Sequence, residues 1–116
     1  MPVSINPLFA EIPSPGINLS ERKEWLQKIF LMKSSDLETP QKKWRDAIIN
    51  EIENLNKPTI IFSHFMVINI IVSHLKKNGL VVSFYPDNCS ITNLSMDNEG
   101  KIKIINLGSE LQTELN

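Results

Sequence analysis

The sequence predicts an α/β fold in a single domain covering residues 1–116, and three observations carry this prediction. The stretch TIIF, at residues 59–62, is short, β-branched and apolar without alternation, as in strands that are covered on both faces and belong to parallel sheets. Apolar residues at helical spacing lie on both sides of it. Finally, CSITNLS and KIKIINL flank a turn-rich stretch and predict a C-terminal β-hairpin.

The elements before the central strand can be assigned in order. The first 17 residues hold four prolines, which exclude a helix and leave at most a short strand within residues 3–12. Asn18 as N-cap, with Glu21 at the third helical position, predicts a capping box that opens a first helix over about residues 19–33. Thr39 as N-cap and Pro40 at the first helical position predict the start of a second helix.

The elements after the central strand follow the same reasoning. Residues 65–77 carry apolar side chains at helical spacing, and Asn78 with Gly79 supplies a C-terminal stop. LVVSF, at residues 80–84, is predicted to form a further strand, and residues 85–88 a turn. The order through the middle of the chain is therefore α, β, α, β, followed by the hairpin.

Composition excludes several classes of function. The net charge is −1, with 12 basic and 13 acidic residues, so no overall field favours nucleic acid or an anionic membrane as a partner. The single Cys89 excludes an internal disulfide and a thiolate zinc cluster, and it indicates a reducing, cytoplasmic location. No apolar run reaches the roughly 18 residues of a membrane span. We find no phosphate-binding glycine loop and no HExxH, and expect neither a cofactor nor a metal.

His64 stands where the central strand is expected to end and the next helix to begin. In open α/β sheets, ligands bind outside the carboxyl ends of strands, where helix N–H groups are free. An imidazole at that point could hold an anion such as phosphate or act as a general acid or base. The alternative is that His64 is only a capping or partly buried residue.

Four stretches in this order, LFAEIPSP, TIIFSHFMVIN, FYPDNCSITNL and KIKIINLGSELQT, resemble the later half of the histidine phosphatase superfamily, which has the phosphoglycerate mutase-like fold. The resemblance implies a three-layer α/β sheet and a phosphohistidine mechanism on a small phosphorylated metabolite. His64 is similar to the family's second histidine, although the family more often has Gly where Phe65 stands. Glu11 is similar to the acid that protonates the leaving group; the alternative is an ordinary exposed carboxylate.

The chain also departs from this family. The Arg-His-Gly motif that carries the nucleophile, and a further phosphate-binding arginine on the second helix, are both missing. Arg22 and Arg45 are the only arginines, and neither precedes a histidine. We therefore expect the C-terminal part of a phosphatase, N-terminally truncated and inactive alone, because phosphoryl transfer needs its charged oxygens neutralised. Loss of the first strand would leave residues 60–62 as an open sheet edge and invite self-association.

Two further candidate residues and two alternative functions remain open. Arg22 could reach the substrate pocket from the first helix, and Asn88 could lie at its rim; solvated and turn positions explain them equally well. One alternative function is a non-catalytic binding module derived from this fold. The other is a small enzyme in which two chains pair to complete a site. The residues do not identify the substrate or separate a phosphatase from a mutase.

Overall fold

A computed structural model describes residues 6–87 and 89–110. Within them the chain has a small α/β fold of three α-helices and one two-stranded antiparallel sheet, with a short 3-10 helix at Pro7–Phe9 and another at Ser34–Asp36. The main elements are α1 (Leu19–Phe30), α2 (Thr39–Glu53), α3 (Phe65–Lys76), β1 (Asn93–Met96) and β2 (Ile102–Asn106).

Helix α1 begins where the sequence predicts and ends at Phe30, three residues earlier than expected. Asn18 is the N-cap, but its side chain makes no capping bond, so the predicted capping box is wrong. The backbone carbonyl of Asn18 instead accepts the Glu21 N–H at 2.9 Å. After Phe30 the chain turns so that Lys33 forms an isolated antiparallel bridge with Leu80.

Helices α2 and α3 are present where the sequence predicts helices. Helix α2 has Pro40 in its first turn, as expected, while its N-cap is Glu38, one residue before the predicted Thr39. Helix α3 ends at Lys76, and the next residue, Lys77, adopts a left-handed conformation with φ of 54°. Gly79 follows with φ of 72°, which glycine adopts without strain, so the predicted stop is confirmed.

The prediction of two strands in the middle of the chain, at residues 59–62 and 80–84, is wrong. Residues 59–62 form no strand, and of the second stretch only Leu80 makes a bridge. A strand needs a neighbouring backbone to pair with, and an apolar pattern indicates only that side chains favour burial. Of the predicted N-terminal strand, residues 1–5 lie outside the described residues, and Pro7–Phe9 is a 3-10 helix.

The C-terminal hairpin is confirmed. Strands β1 and β2 pair antiparallel, with Leu94 opposite Ile104 and Met96 opposite Ile102. The turn is closed by the side chain of Asp97, whose Oδ1 accepts the N–H groups of Glu99 and Lys101, each at 2.9 Å. An aspartate that binds backbone N–H groups two and four residues on stabilises such a turn.

The core lies where α2 and α3 pack together, with α1 and the N-terminal segment completing it. Its buried side chains are Ile12, Ile29, Leu37, Ile48, Ile49, Met66, Val67, Ile70 and Val81. Full burial of one such side chain stabilises a fold by about 1.5–3 kcal/mol. No helix among the described residues is long and apolar enough to cross a membrane.

Residues 80–84 are held against α3 by side chains rather than by a ladder. Asn69, fully buried in α3, accepts the N–H groups of Ser83 at 2.7 Å and Phe84 at 3.1 Å through its Oδ1. Its Nδ2 donates to the carbonyl of Phe65 at 3.1 Å. Nearby, the Ser73 hydroxyl contacts that of Ser83. Buried polar groups require partners, and here α3 supplies them to a segment that has almost no strand neighbours.

Candidate functional site

His64 is the N-cap of helix α3, with extended backbone at φ −115° and ψ 161°. Its carbonyl accepts the Ile68 N–H at 3.0 Å, while its side chain is exposed and makes no cap bond. No acidic residue lies in the first turn of α3. The first-turn N–H groups and the positive end of the helix dipole therefore have no carboxylate beside them in that turn.

Both neighbours of His64 are fixed by contacts from distant parts of the chain. The Ser63 hydroxyl donates to the carbonyl of Phe9 at 2.9 Å, across 54 residues. The Phe65 ring stacks on Phe30 of α1, with centroids 5.2 Å apart, and also contacts Tyr85 at 5.6 Å. Phe65, which stands where the resembled family more often has Gly, is thus used in packing. His64 is positioned from both sides and remains open to solvent.

Glu11 lies in the segment of residues 9–14, which we call the tethered segment because four side chains from elsewhere bind it. The side chains of Ser63, Trp44 and Gln41 donate to the carbonyls of Phe9, Ala10 and Pro13, respectively. The Arg22 guanidinium donates to the Ser14 hydroxyl. Glu11 itself is half-buried, and its Oε1 accepts the Ile12 N–H at 2.9 Å. The acid is therefore carried on a backbone that the folded helices hold in place.

Of the other two candidate residues, the structure describes only Arg22. Arg22 contacts the far end of the tethered segment, with its Nε 3.4 Å from the Ser14 hydroxyl. Asn88 lies outside the described residues. Beside it, Cys89 is exposed with φ of 60°, and the Ser90 N–H binds the Asp87 carbonyl at 3.2 Å. Of the turn predicted at residues 85–88, Pro86 forms an isolated antiparallel bridge with Glu110, and Asn88 lies outside the described residues.

The structure brings Glu11 and His64 onto neighbouring segments and adds residues that sequence reasoning missed. Ser63 had no predicted role beyond preceding His64, and Gln41 was not singled out. A hydrogen bond between residues 54 positions apart leaves no local pattern in a sequence. Gln41 is buried, and a buried amide requires a partner, but that partner, the Pro13 carbonyl, lies 28 positions away in the sequence.

The arrangement has the parts of an anion site without the parts of a complete catalyst. An exposed imidazole beside free helix N–H groups can bind a phosphoryl oxygen, and a carboxylic acid such as Glu11, on the segment bonded to Ser63, can transfer a proton. Within residues 6–87 and 89–110, no group of three or more His, Cys, Asp or Glu side chains could hold a metal ion. Arg45 pairs with the adjacent Asp46 at 3.4 Å, whereas the Arg22 guanidinium contacts Ser14 of the tethered segment.

Comparison of the chain with models of known protein families, with curated proteins and with solved structures finds no match.

Proposed function

We propose that this chain is part of a histidine phosphatase with the three-layer phosphoglycerate mutase-like fold, acting on a small phosphomonoester in the cytoplasm. His64 would bind the transferring phosphoryl group, and Glu11 would protonate the leaving oxygen. The observation that supports this proposal is the hydrogen bond from the Ser63 hydroxyl to the Phe9 carbonyl, because it joins the segment before His64 to the segment before Glu11.

The roles follow from the chemistry of the two groups. His64 and the first-turn N–H groups of α3 can donate hydrogen bonds to phosphoryl oxygens, which carry the charge of the transition state. A carboxylic acid within reach of the leaving oxygen can lower the barrier by roughly 10²–10⁴ in rate. This role is supported by the position of Glu11 on the tethered segment, whose carbonyls at Phe9 and Pro13 each accept a hydrogen bond of 2.9 Å.

Catalysis also requires a nucleophile and guanidinium groups on the equatorial oxygens, and the sequence has no Arg-His-Gly motif to supply them. We therefore propose that a segment outside these 116 residues carries the nucleophile. The chain as given should bind phosphate weakly and turn over no phosphomonoester.

Phosphate binding is tested by NMR titration of the chain with inorganic phosphate, against chloride at equal ionic strength. We expect saturable shifts of the His64 ring protons and of the first amides of α3, and no hydrolysis of p-nitrophenyl phosphate. His64→Ala should abolish the amide shifts. His74→Ala is the matched control, because His74 lies 3.6 Å from Glu53 at the other end of α3. Equal shifts at both histidines, or no shifts, would reject the site.

The missing nucleophile is tested by reading the coding DNA upstream of Met1 in all three forward frames. An Arg-His-Gly codon run is expected, and a chain extended to include it should hydrolyse phosphomonoesters and lose that activity with His64→Ala. If no frame contains the motif, and the chain shows no phosphate-dependent shift, the non-catalytic binding module becomes the better explanation. Hydrolysis by the original chain that survives His64→Ala would contradict both.

A further inference from the structure

Asn78 and Gly79 follow the end of helix α3 in an exposed turn, and they form the one Asn-Gly pair in the sequence. Gly79 has φ of 72°, a left-handed backbone that glycine adopts without strain. A Cβ at this position would meet no atom within 4 Å. The backbone that follows Asn78 is therefore open to solvent.

Both polar atoms of the Asn78 side chain have hydrogen-bond partners. The Oδ1 atom accepts the Leu80 N–H at 3.0 Å, and the Nδ2 atom donates to the Ser83 hydroxyl at 2.9 Å. The first bond is an Asx turn, in which an asparagine binds the N–H two residues on. The ring closed by that bond includes both the Asn78 Cγ and the Gly79 nitrogen, so it restricts how far these two atoms can move apart.

The peptide nitrogen of Gly79 is the nucleophile that could attack the Asn78 Cγ, because a bond between these atoms would close a five-membered ring. The Gly79 carbonyl accepts the Ser34 N–H at 2.8 Å, whereas the Gly79 N–H has no hydrogen-bond partner among the described residues. A free N–H loses its proton more readily than one that must first give up a hydrogen bond. The turn therefore holds the electrophile in place and leaves the nucleophile available.

We propose that Asn78 is a site of spontaneous deamidation, and that the folded turn promotes the reaction. The Gly79 nitrogen loses its proton to hydroxide and forms a bond to the Asn78 Cγ. The bond from Cγ to Nδ2 then breaks, and Nδ2 takes up one proton and leaves as ammonia. Water opens the resulting succinimide at either carbonyl and gives aspartate or isoaspartate, so one water is consumed for each ammonia released. This inference does not depend on the proposed phosphatase function.

The two hydrogen bonds of the Asn78 side chain match the two requirements of this reaction. Attack puts negative charge on Oδ1, to which the Leu80 N–H already donates, and a donor placed in advance stabilises such a transition state. Departure of ammonia requires a proton on Nδ2, and the hydroxyl beside it belongs to Ser83. Once Nδ2 becomes tetrahedral, its lone pair can accept the Ser83 proton, which water then replaces.

Deamidation at this turn should destabilise the fold. The turn is bonded to the segment after α1, because the Ser34 N–H donates to the Gly79 carbonyl at 2.8 Å and the Val81 N–H donates to the Met32 carbonyl at 3.2 Å. An isoaspartate adds one carbon to the main chain just before Gly79, so these bonds cannot all keep their geometry. The modified chain, separated by ion exchange, should unfold at a lower urea concentration than the original chain.

The test compares the folded chain with a terminally blocked peptide, Lys-Lys-Asn-Gly-Leu-Val, which has the sequence of residues 76–81. Both are incubated at mildly alkaline pH, and peptide mapping by mass spectrometry follows the conversion of Asn78. We expect the folded chain to react at least threefold faster than the peptide, because the peptide lacks the fixed donors. Asn98, which is also exposed in a turn but precedes Glu99, is the internal control and should stay unmodified.

Two substitutions test the contribution of the fold. Ser83→Ala removes the hydroxyl beside Nδ2 and should slow the reaction at least threefold. Its matched control is Ser35→Ala, at an exposed serine far from the turn in sequence, which should leave the rate unchanged. Asn78→Gln should stay unmodified over the same period, because its imide would be a six-membered ring that closes more slowly.

Three outcomes would overturn the inference. One is a reaction at Asn78 that is no faster in the folded chain than in the peptide, which would show that the turn does not promote it. Another is equal conversion of Asn78 and Asn98. The last is an equal rate in Ser83→Ala and Ser35→Ala.

Discussion

Replacing Asn69 by alanine should strongly destabilise the fold, because this one side chain makes three hydrogen bonds in a fully buried position. Its Oδ1 accepts the N–H groups of Ser83 and Phe84 at 2.7 Å and 3.1 Å, and its Nδ2 donates to the Phe65 carbonyl at 3.1 Å. Through these bonds α3 holds residues 80–84, which have almost no ladder bonds of their own.

The magnitude follows from the groups that would lose their partner. A buried donor left unpaired destabilises a protein by about 1–3 kcal/mol, so two N–H groups give about 2–6 kcal/mol. Alanine regains about 0.5 kcal/mol as the better helix former. The net loss in free energy of unfolding is about 1.5–5.5 kcal/mol, which is a large part of the roughly 5–15 kcal/mol typical of such domains.

Urea unfolding followed by circular dichroism at 222 nm measures this loss. The dependence of the free energy of unfolding on urea concentration should be the same in both proteins, because a changed slope would mean that more than stability has changed. The matched control is Asn50→Ala, also within a helix but exposed, whose Oδ1 accepts only the side chain of Asn54. It should change the free energy of unfolding by less than about 0.5 kcal/mol. If Asn69→Ala and Asn50→Ala destabilise equally at the same slope, the assigned role of Asn69 is wrong.

Three further substitutions have defined outcomes in the same urea assay. Ser63→Ala removes the bond to the Phe9 carbonyl and should lower the free energy of unfolding by about 0.5–1.5 kcal/mol, while Ser63→Thr should restore most of it. Gln41→Leu leaves the Pro13 carbonyl without its donor and should cost about 1–3 kcal/mol; no loss would show that water replaces the amide. Ile70→Ala empties a core position that is 1% exposed and should cost about 2–5 kcal/mol, whereas Ile60→Ala at an exposed position should cost almost nothing.

The helices and the hairpin could be predicted because their signals are local. Pro40 in the first turn of α2, the stop at Asn78 and Gly79, and the turn residues between β1 and β2 each act within a few positions of the element they delimit. The predicted helix ends are wrong by up to three residues, as at Phe30. Helix ends depend on which backbone groups find partners in the turn that follows, and a spacing pattern does not contain that information.

The two missing strands could not be predicted from local signals, because strand formation depends on a distant partner. Residues 59–62 and 80–84 have the composition of buried strands. Among the described residues, the first segment has no backbone hydrogen-bond partner, and the second is held by side chains of α3, chiefly Asn69. The candidate site likewise combines one feature with a local signal and one that depends on a distant contact. His64 follows from a local change of period, while the bond that joins its segment to that of Glu11 spans 54 residues.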